Sequence, residues 1–356
     1  MKALRIHAGP LAREHIARQG LRPQDVRIIP GAAGGPKGLI LGPLDRFVFA
    51  DWLPRSEQPI DLVGASIGAW RLANACMDDA RGAFEQFEHG YIHQRFEVPP
   101  GQTRLTARQL SEQFAQGLHS FYGGRAAEVL GHPRFRLHVI ASRGRHILGR
   151  EGRARTPLGY LGAFIANGVH RKALGAWLER VVFSSAGAVL PFGTRDFRTR
   201  QVALTEANFE PALQASCSIP FMLEAVHDIP GAPRGAYWDG GITDYHLHLD
   251  YRAGDGIVLY PHFQQAVVPG WLDKGLRWRH RASGFLDRAV VLAPAPDWIR
   301  TLPNGKLPDR GDFLRYGSDT PSRVEAWSRA AAEARRLADE FAQWLAHPDP
   351  LAVLPL

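Results

Sequence analysis

The sequence predicts an α/β fold: a three-layer sandwich whose central sheet is largely parallel and covered by helices on both faces. Two observations carry this expectation. Twice in the first 80 residues a short apolar run ends at a glycine-bearing turn and leads into apolar residues at helical spacing. Further apolar runs of strand length then recur as far as Ala293. Strands alternating with helices imply parallel pairing, because a crossover must return the chain before the next strand begins.

The elements follow in order. Val26–Ile29 ("VRII") reads as a buried strand that ends at Pro30 and runs into the glycine-rich loop "PGAAGGPKG". Ile40, Leu44, Phe47 and Val48 then fall at helical spacing, with Pro43 among them, which predicts a late start or a kink. Ile60–Val63 is the second run. The helix after it is better defined, with Ala69, Leu72, Ala73 and Cys76 at i, i+3, i+4 and i+7. Residues 85–130 read as a helical insertion. Phe135–Ala141, Val181–Phe183, Gln201–Thr205, Ile257–Tyr260 and Ala289–Ala293 are the remaining strand candidates. From Val324 to Leu345 the apolar positions Val324, Trp327, Ala331, Ala334, Leu337, Phe341 and Trp344 step by three or four, predicting one amphipathic C-terminal helix that packs on the body.

Composition narrows the class. The 356 residues exceed the roughly 150 of an average domain, yet single α/β domains reach this length, and no repeat or low-complexity linker divides the chain. One domain over 1–356 is therefore expected. A content of 45% hydrophobic and 22% charged residues is that of an ordinary globular protein. The net charge of +8 favours anionic partners without choosing among them. Cys76 and Cys217 are too few for a disulfide framework or a cysteine-based zinc site. The N-terminal stretch lacks the apolar core of a signal peptide, and no apolar run approaches the roughly 18 residues of a membrane span. A cytoplasmic protein, with peripheral membrane contact open to it, is the expectation.

Three segments could carry chemistry. Gly64-Ala65-Ser66-Ile67-Gly68 lies between a strand and a helix, the context of a nucleophile elbow. That turn strains the serine backbone, lifts Oγ above the sheet and leaves no room for side chains at the flanking glycines. The loop Gly31–Gly38 fails as a P-loop, since Pro36 stands where glycine is required and Gly38 where serine or threonine is. It also lacks the dinucleotide pattern G-x-G-x-x-G. Two readings remain: an oxyanion loop, in which Gly34 and Gly35 turn amides toward a developing negative charge, or a flexible strand-to-helix turn. Asp239, before Gly240 and Gly241, is a turn signal on its own. With a serine nucleophile in the chain it becomes a candidate base. The same region offers a rival: His246, His248 and Asp250 alternate, so on a strand they would share a face as metal ligands, with hydrogen-bonded histidines as the plainer alternative.

Taken together, these segments resemble the patatin-like phospholipase family. Ala33-Gly34-Gly35-Pro36-Lys37-Gly38 matches the family's glycine-rich oxyanion loop, with Ala33 where a first glycine is usual and Lys37 where arginine or lysine is usual. Gly64–Gly68 matches its G-x-S-x-G elbow, and Asp239-Gly240-Gly241 its Asp-Gly-Gly motif. "ALQASCSIPFMLEAV", Ala212–Val226, is similar to its Ala-Ser-x-x-x-Pro stretch. The match covers Val26 to about Tyr245, and the extension from about 262 to 356 lies outside it.

The resemblance implies a Ser66–Asp239 dyad with no catalytic histidine, no cofactor and no metal. Gly34, Gly35 and Ile67 would donate to the oxyanion, supported by Gly38, Gly64, Gly68, Gly240 and Gly241. Lys37 would place a charge near the loop or an anionic headgroup, or is simply an exposed lysine at a helix start. The substrate it implies is a lipid acyl ester. In "GWLDKGLRWRHRASGF", Gly270–Phe285, Trp271 and Trp278 stand among Lys274, Arg277, Arg279 and Arg281, which suits an anionic membrane surface. A surface helix with two buried tryptophans is the alternative. Single-stranded nucleic acid would suit the same stretch, but no nucleic-acid module accompanies it, and no such partner is expected. A non-catalytic lipid-binding protein and a metal hydrolase using His246, His248 and Asp250 remain the other functional readings.

Overall fold

The computed structural model describes residues 1–102 and 104–356. Its strands are β1 (Leu4–Ala8), β2 (Val26–Gly31), β3 (Ile60–Ala65), β4 (Phe135–Gly144), β5 (Leu178–Ser184), β6 (Thr199–Ala203), β7 (Val226–His227), β8 (Ala236–Asp239), β9 (Ile257–Pro261), β10 (Ala289–Pro294) and β11 (Val353–Pro355). They form one sheet in the order β11-β1-β10-β9-β2-β3-β4-β5-β6, with β8 paired to β4 and β7 to β8. From β10 through β4 every neighbour is parallel. The antiparallel pairs are β1 with β10, β4 with β5, β4 with β8, and β7 with β8. The central strands are buried on both faces, as helices packed on either side of a parallel sheet require. The α/β class with a mostly parallel, helix-flanked sheet therefore holds.

The strands at the sheet's rim were not anticipated. β11 is a three-residue edge strand, β1 lies between it and β10, and β8 spans only four residues, too few for a periodicity to show. The chain past residue 262 is part of the same body: it supplies β10 and β11, so the two ends of the chain meet at one edge of the sheet.

Two helical expectations need refinement. Around Pro43 the chain winds tightly over Gly35–Leu41, becomes α-helical over Gly42–Arg46 and widens over Phe47–Trp52. This is the irregularity a proline at that place imposes. The single C-terminal helix expected over Val324–Leu345 is instead two, Thr320–Glu333 and Arg335–Ala346, interrupted at Ala334. The break lets each half bury its stripe against a different surface. Trp327 and Ala331 join Leu39 and Ile92 in a small cluster, whereas Leu337, Phe341 and Trp344 join the main core, where Phe341 meets Phe47 and Trp52 edge-on. Among the described residues no helix is long and apolar enough to cross a membrane.

Candidate active site

β4 is the ruler on which the site is built. β3 ends with Ala65 opposite Ile140 of β4. β8, running the other way, ends with Asp239 opposite Ala141, the next residue of β4. One strand stops where the other begins, so the residue after β3, Ser66, meets the last residue of β8. Ser66 Oγ donates to Asp239 Oδ2 at 2.7 Å, across 173 residues of sequence. Asp239 Oδ1 accepts from the Gly241 amide at 2.7 Å, so both oxygens of the carboxylate are held.

Ser66 sits at φ 55°, ψ −131° as the helix Ile67–Ala75 begins. A non-glycine residue there is strained and is held by its surroundings. The holding group is Ser216. Its hydroxyl accepts from the Ser66 amide at 2.8 Å and donates to the Ile140 carbonyl at 2.6 Å. Ser216 lies in the segment Ala212–Val226, which the sequence marked only as similar to a family stretch; its role as the peg of the elbow needed the fold.

Gly68 accounts for the tightness of the turn. A Cβ there would collide with the Gly31 carbonyl of the neighbouring strand end. Gly68→Ala is accordingly expected to destabilise the protein by ~3 kcal/mol or more, the upper range for overpacking a backbone contact. Urea denaturation checks this, and an unchanged midpoint would contradict the packing described.

The glycine-rich loop passes beside the serine. Gly34 shares a cavity wall with Ser66 and Asp239, while Gly35 and Ile67 share a second cavity wall with Ser66. The Gly34, Gly35 and Ile67 amides have no partner among the described residues, as expected for groups at helix starts. Ala33 does not adopt positive φ, and its amide is used by the Tyr245 carbonyl at 2.9 Å. Its methyl faces Gly241, where a Cβ would come within 2.7 Å, so the glycine across the site accommodates the alanine. Lys37 is half-buried with its ammonium 5.4 Å from the Phe263 ring centroid, and Gly38 packs on Ile67. Gly64 and Gly240 lie against Ala69 and the Ile140 carbonyl, with no space for side chains.

Two cavities meet at Ser66. One, of about 410 Å³, is lined by Gly34, Lys37, Asp239, Tyr245, Lys274 and Arg310. The other, of about 550 Å³, is walled by apolar side chains including Trp70, Leu110, Phe114, Met222, Leu223 and Leu314. Arg310 reaches both from beyond residue 262, and its guanidinium stacks over Gly35, which sits at φ 57°. Nothing local in the sequence marked Arg310. Burial pushes the Asp239 carboxyl above its ordinary value, and the Arg310 guanidinium, the Ser66 hydroxyl and the Gly241 amide pull it back.

The histidines lie elsewhere. No histidine lines either cavity among the described residues. The expected strand through His246, His248 and Asp250 does not form, because the chain turns at Leu247, which has φ 50°. His246 is buried and its Nδ1 accepts from the Val268 amide at 3.1 Å. His248 pairs with the Ser283 hydroxyl at 2.8 Å, and Asp250 is exposed. Burial lowers the pKa of all three nearby imidazoles: well below the ordinary value for His246, to about 4 for His248 and to about 3 for His262. Among the described residues no three histidine, cysteine or acidic side chains cluster as metal ligands would.

Fold and site together define an α/β protein with a strained serine at a strand-to-helix elbow, hydrogen-bonded to a buried carboxylate. No protein-family model matches the chain, and no curated protein matches its sequence.

Proposed function

We propose that this protein is a serine hydrolase that cleaves acyl esters of lipids through a Ser66–Asp239 dyad. The observation that carries this is the 2.7 Å hydrogen bond from Ser66 Oγ to Asp239 at the junction of an apolar and a polar cavity. The four sequence segments similar to patatin-like phospholipases support the same reading.

Asp239 takes the hydroxyl proton as Ser66 Oγ adds to the ester carbonyl, and the carbonyl oxygen becomes an oxyanion. The free amides of Gly34, Gly35 and Ile67 are the donors placed to stabilise it; one such donor is worth on the order of 100- to 1,000-fold in rate. Collapse of the adduct breaks the ester C–O bond, the alcohol leaves with the proton from Asp239, and an acyl-serine remains. Water, deprotonated by Asp239, adds to that acyl carbonyl; release of the acid returns the proton to Ser66. The acyl chain lies in the apolar cavity. A fluorophosphonate probe is expected to label Ser66 in the presence of chelator; labelling at another residue, or none, would overturn the proposal.

Access from a lipid surface is part of this reading. The helix Arg155–Val169 exposes Leu158, Leu161, Phe164, Ile165 and Val169 along one side. Its C-terminal turn is bound to the Trp271–Arg279 segment, since Arg279 donates to the Asn167 carbonyl at 2.8 Å and Asp273 accepts from the Asn167 amide at 2.8 Å. Trp278 is 66% exposed beside Arg277 and Arg281, and Trp271 reaches the wall of the polar cavity. Instead of one helix with buried tryptophans, the segment makes separate short turns. An apolar helix face next to free arginines suits an anionic bilayer. Flotation with anionic vesicles is expected to carry the protein upward at low salt, and Leu161→Glu or Ile165→Glu to weaken binding on the order of tenfold each. Equal binding to neutral and anionic vesicles would remove the charge component.

A further inference from the structure

The polar cavity holds an imbalance of charge that the dyad does not use. Lys37, Lys274 and Arg310 all line it. Among the described residues none of the three has a carboxylate within 4.0 Å, unlike Arg71, paired with Asp45, and Arg180, paired with Asp244 and Asp196. Asp309, the other acid in the wall, is taken by Lys306 at 2.7 Å. Against the three cations stand Asp239 and Asp309, and Lys306 divides its charge between Asp309 and Asp312, so the cavity carries a net charge of about one positive with three cations free to meet an anion.

Lys274 lies close enough to Lys37 and Arg310 to be repelled by both. Lys274 is pulled down to about 8 by loss of hydration and by the charges of Lys37 and Arg310. Its ammonium rests 4.2 Å from the Tyr245 ring centroid and 5.6 Å from that of Trp271, two residues of the same cavity wall. Lys37 likewise loses hydration and is steadied by Phe263. Like charges gathered in a concave site are costly unless an anion joins them.

We propose that Lys37, Lys274 and Arg310 form an anion subsite on the alcohol side of Ser66, selecting acyl esters whose leaving group bears a phosphate monoester. The side follows from the hydrolase reading above, on which this proposal rests: the apolar cavity takes the acyl chain, so the polar cavity takes the alcohol. The class of anion follows from the number of donors: a phosphate monoester presents three free oxygens to the three cations, whereas a diester presents two. Arg310 offers a planar fork of donors and the two lysines offer point charges, a combination suited to phosphate oxygens.

The first measurement needs no turnover. Calorimetry of glycerol 3-phosphate with Ser66→Ala protein is expected to give saturable binding, weakened about tenfold or more by Lys274→Gln or Arg310→Gln, the loss expected for one charge-assisted contact. Arg310→Lys, which keeps the charge, should retain part of the affinity; circular dichroism confirms that each variant is folded. Equal affinity for glycerol and glycerol 3-phosphate, or indifference to both Gln substitutions, overturns the subsite. The second measurement is kcat/KM for a 1-acylglycerol 3-phosphate against the matching 1-acylglycerol. A preference of about tenfold or more is expected, falling in Lys274→Gln, with inorganic phosphate inhibiting competitively. Stimulation of the neutral ester by inorganic phosphate would instead make the bound anion a free effector and overturn the headgroup assignment. Binding of glycerol 3-phosphate by a protein that hydrolyses no ester sustains the subsite and removes the hydrolase reading alone.

Discussion

Ser66→Ala is expected to lower kcat for acyl esters on the order of 10⁶-fold, to the level of the uncatalysed background plus what the oxyanion donors retain. The fold should survive. Ser66 Oγ donates to Asp239 and supports no backbone group, while the strained elbow is held by Ser216 through the backbone amide, which alanine keeps. Alanine at φ 55° is no more strained than serine. Initial rates on a medium-chain nitrophenyl ester, with circular dichroism as the control for folding, check this. A variant retaining more than roughly one part in a thousand of the wild-type rate would remove Ser66 as the nucleophile. By contrast, single alanine substitutions at His246, His248 and His262 address groups outside both cavities. A loss at any of them comparable to that of Ser66→Ala would mean a triad and not a dyad.

The second large effect is at Asp239. Asp239→Asn is expected to cost on the order of 10⁴-fold in kcat, because the amide can orient the hydroxyl and cannot accept its proton. The pH dependence follows from the same burial. The ordinary aspartate value is about 3.9, and Asp239 lies above it because the site is dry, with Arg310 as the strongest opposing influence. The rate should therefore rise with pH through an apparent pKa above the ordinary carboxylate range and level off once Asp239 is ionised. Arg310→Gln removes the charge that favours ionisation and should move that rise to higher pH. A shift to lower pH would contradict the placement of Arg310.

Stability runs opposite to activity at this residue. A carboxyl whose pKa is raised on folding binds its proton more tightly in the native state. Its contribution to stability is present below the unfolded value of about 3.9 and is lost as pH rises through the folded value. At neutral pH, then, the ionised Asp239 weakens the fold that holds it. Asp239→Asn should raise the midpoint of thermal unfolding at pH 7 while suppressing the rate. The geometry permits it: the asparagine oxygen can still accept from the Gly241 amide, and its amino group can donate to Ser66 Oγ, since a hydroxyl accepts as well as donates. A lower midpoint would show that the carboxylate is better solvated than its surroundings indicate.

How much of this was legible in the chain differs from residue to residue. Ser66 was marked by its glycines because a strand-to-helix turn this tight restricts residue type locally: Gly68 must leave room for the Gly31 carbonyl. Val26–Ile29 and Ile60–Val63 were legible as strands because both faces are covered, which leaves an unbroken apolar run. β8 and the edge strand β11 were not, being too short for alternation to show, and β1 was missed although it pairs on both sides. The histidine alternation from 246 to 250 misled, because a period of two means a shared face only on a strand, and the chain turns at Leu247. The interruption at Ala334 was equally invisible, since a stripe at helical spacing does not say whether one surface or two will cover it.

By itself the sequence determined the α/β class and the bend at Ser66, because tight turns and doubly covered strands limit residue types over a few neighbouring positions; Asp239 read locally as a turn, and only the family resemblance singled it out. Only the tertiary structure decided that β3 and β8 end at successive residues of β4, bringing Ser66 to Asp239. It alone made Ser216 the support of the elbow and carried Arg310 and Lys274 to the same cavity from the far end of the chain. Those contacts span tens to hundreds of residues. They depend on strand order and on where each strand stops, quantities set by the packing of the whole sheet and by no local pattern.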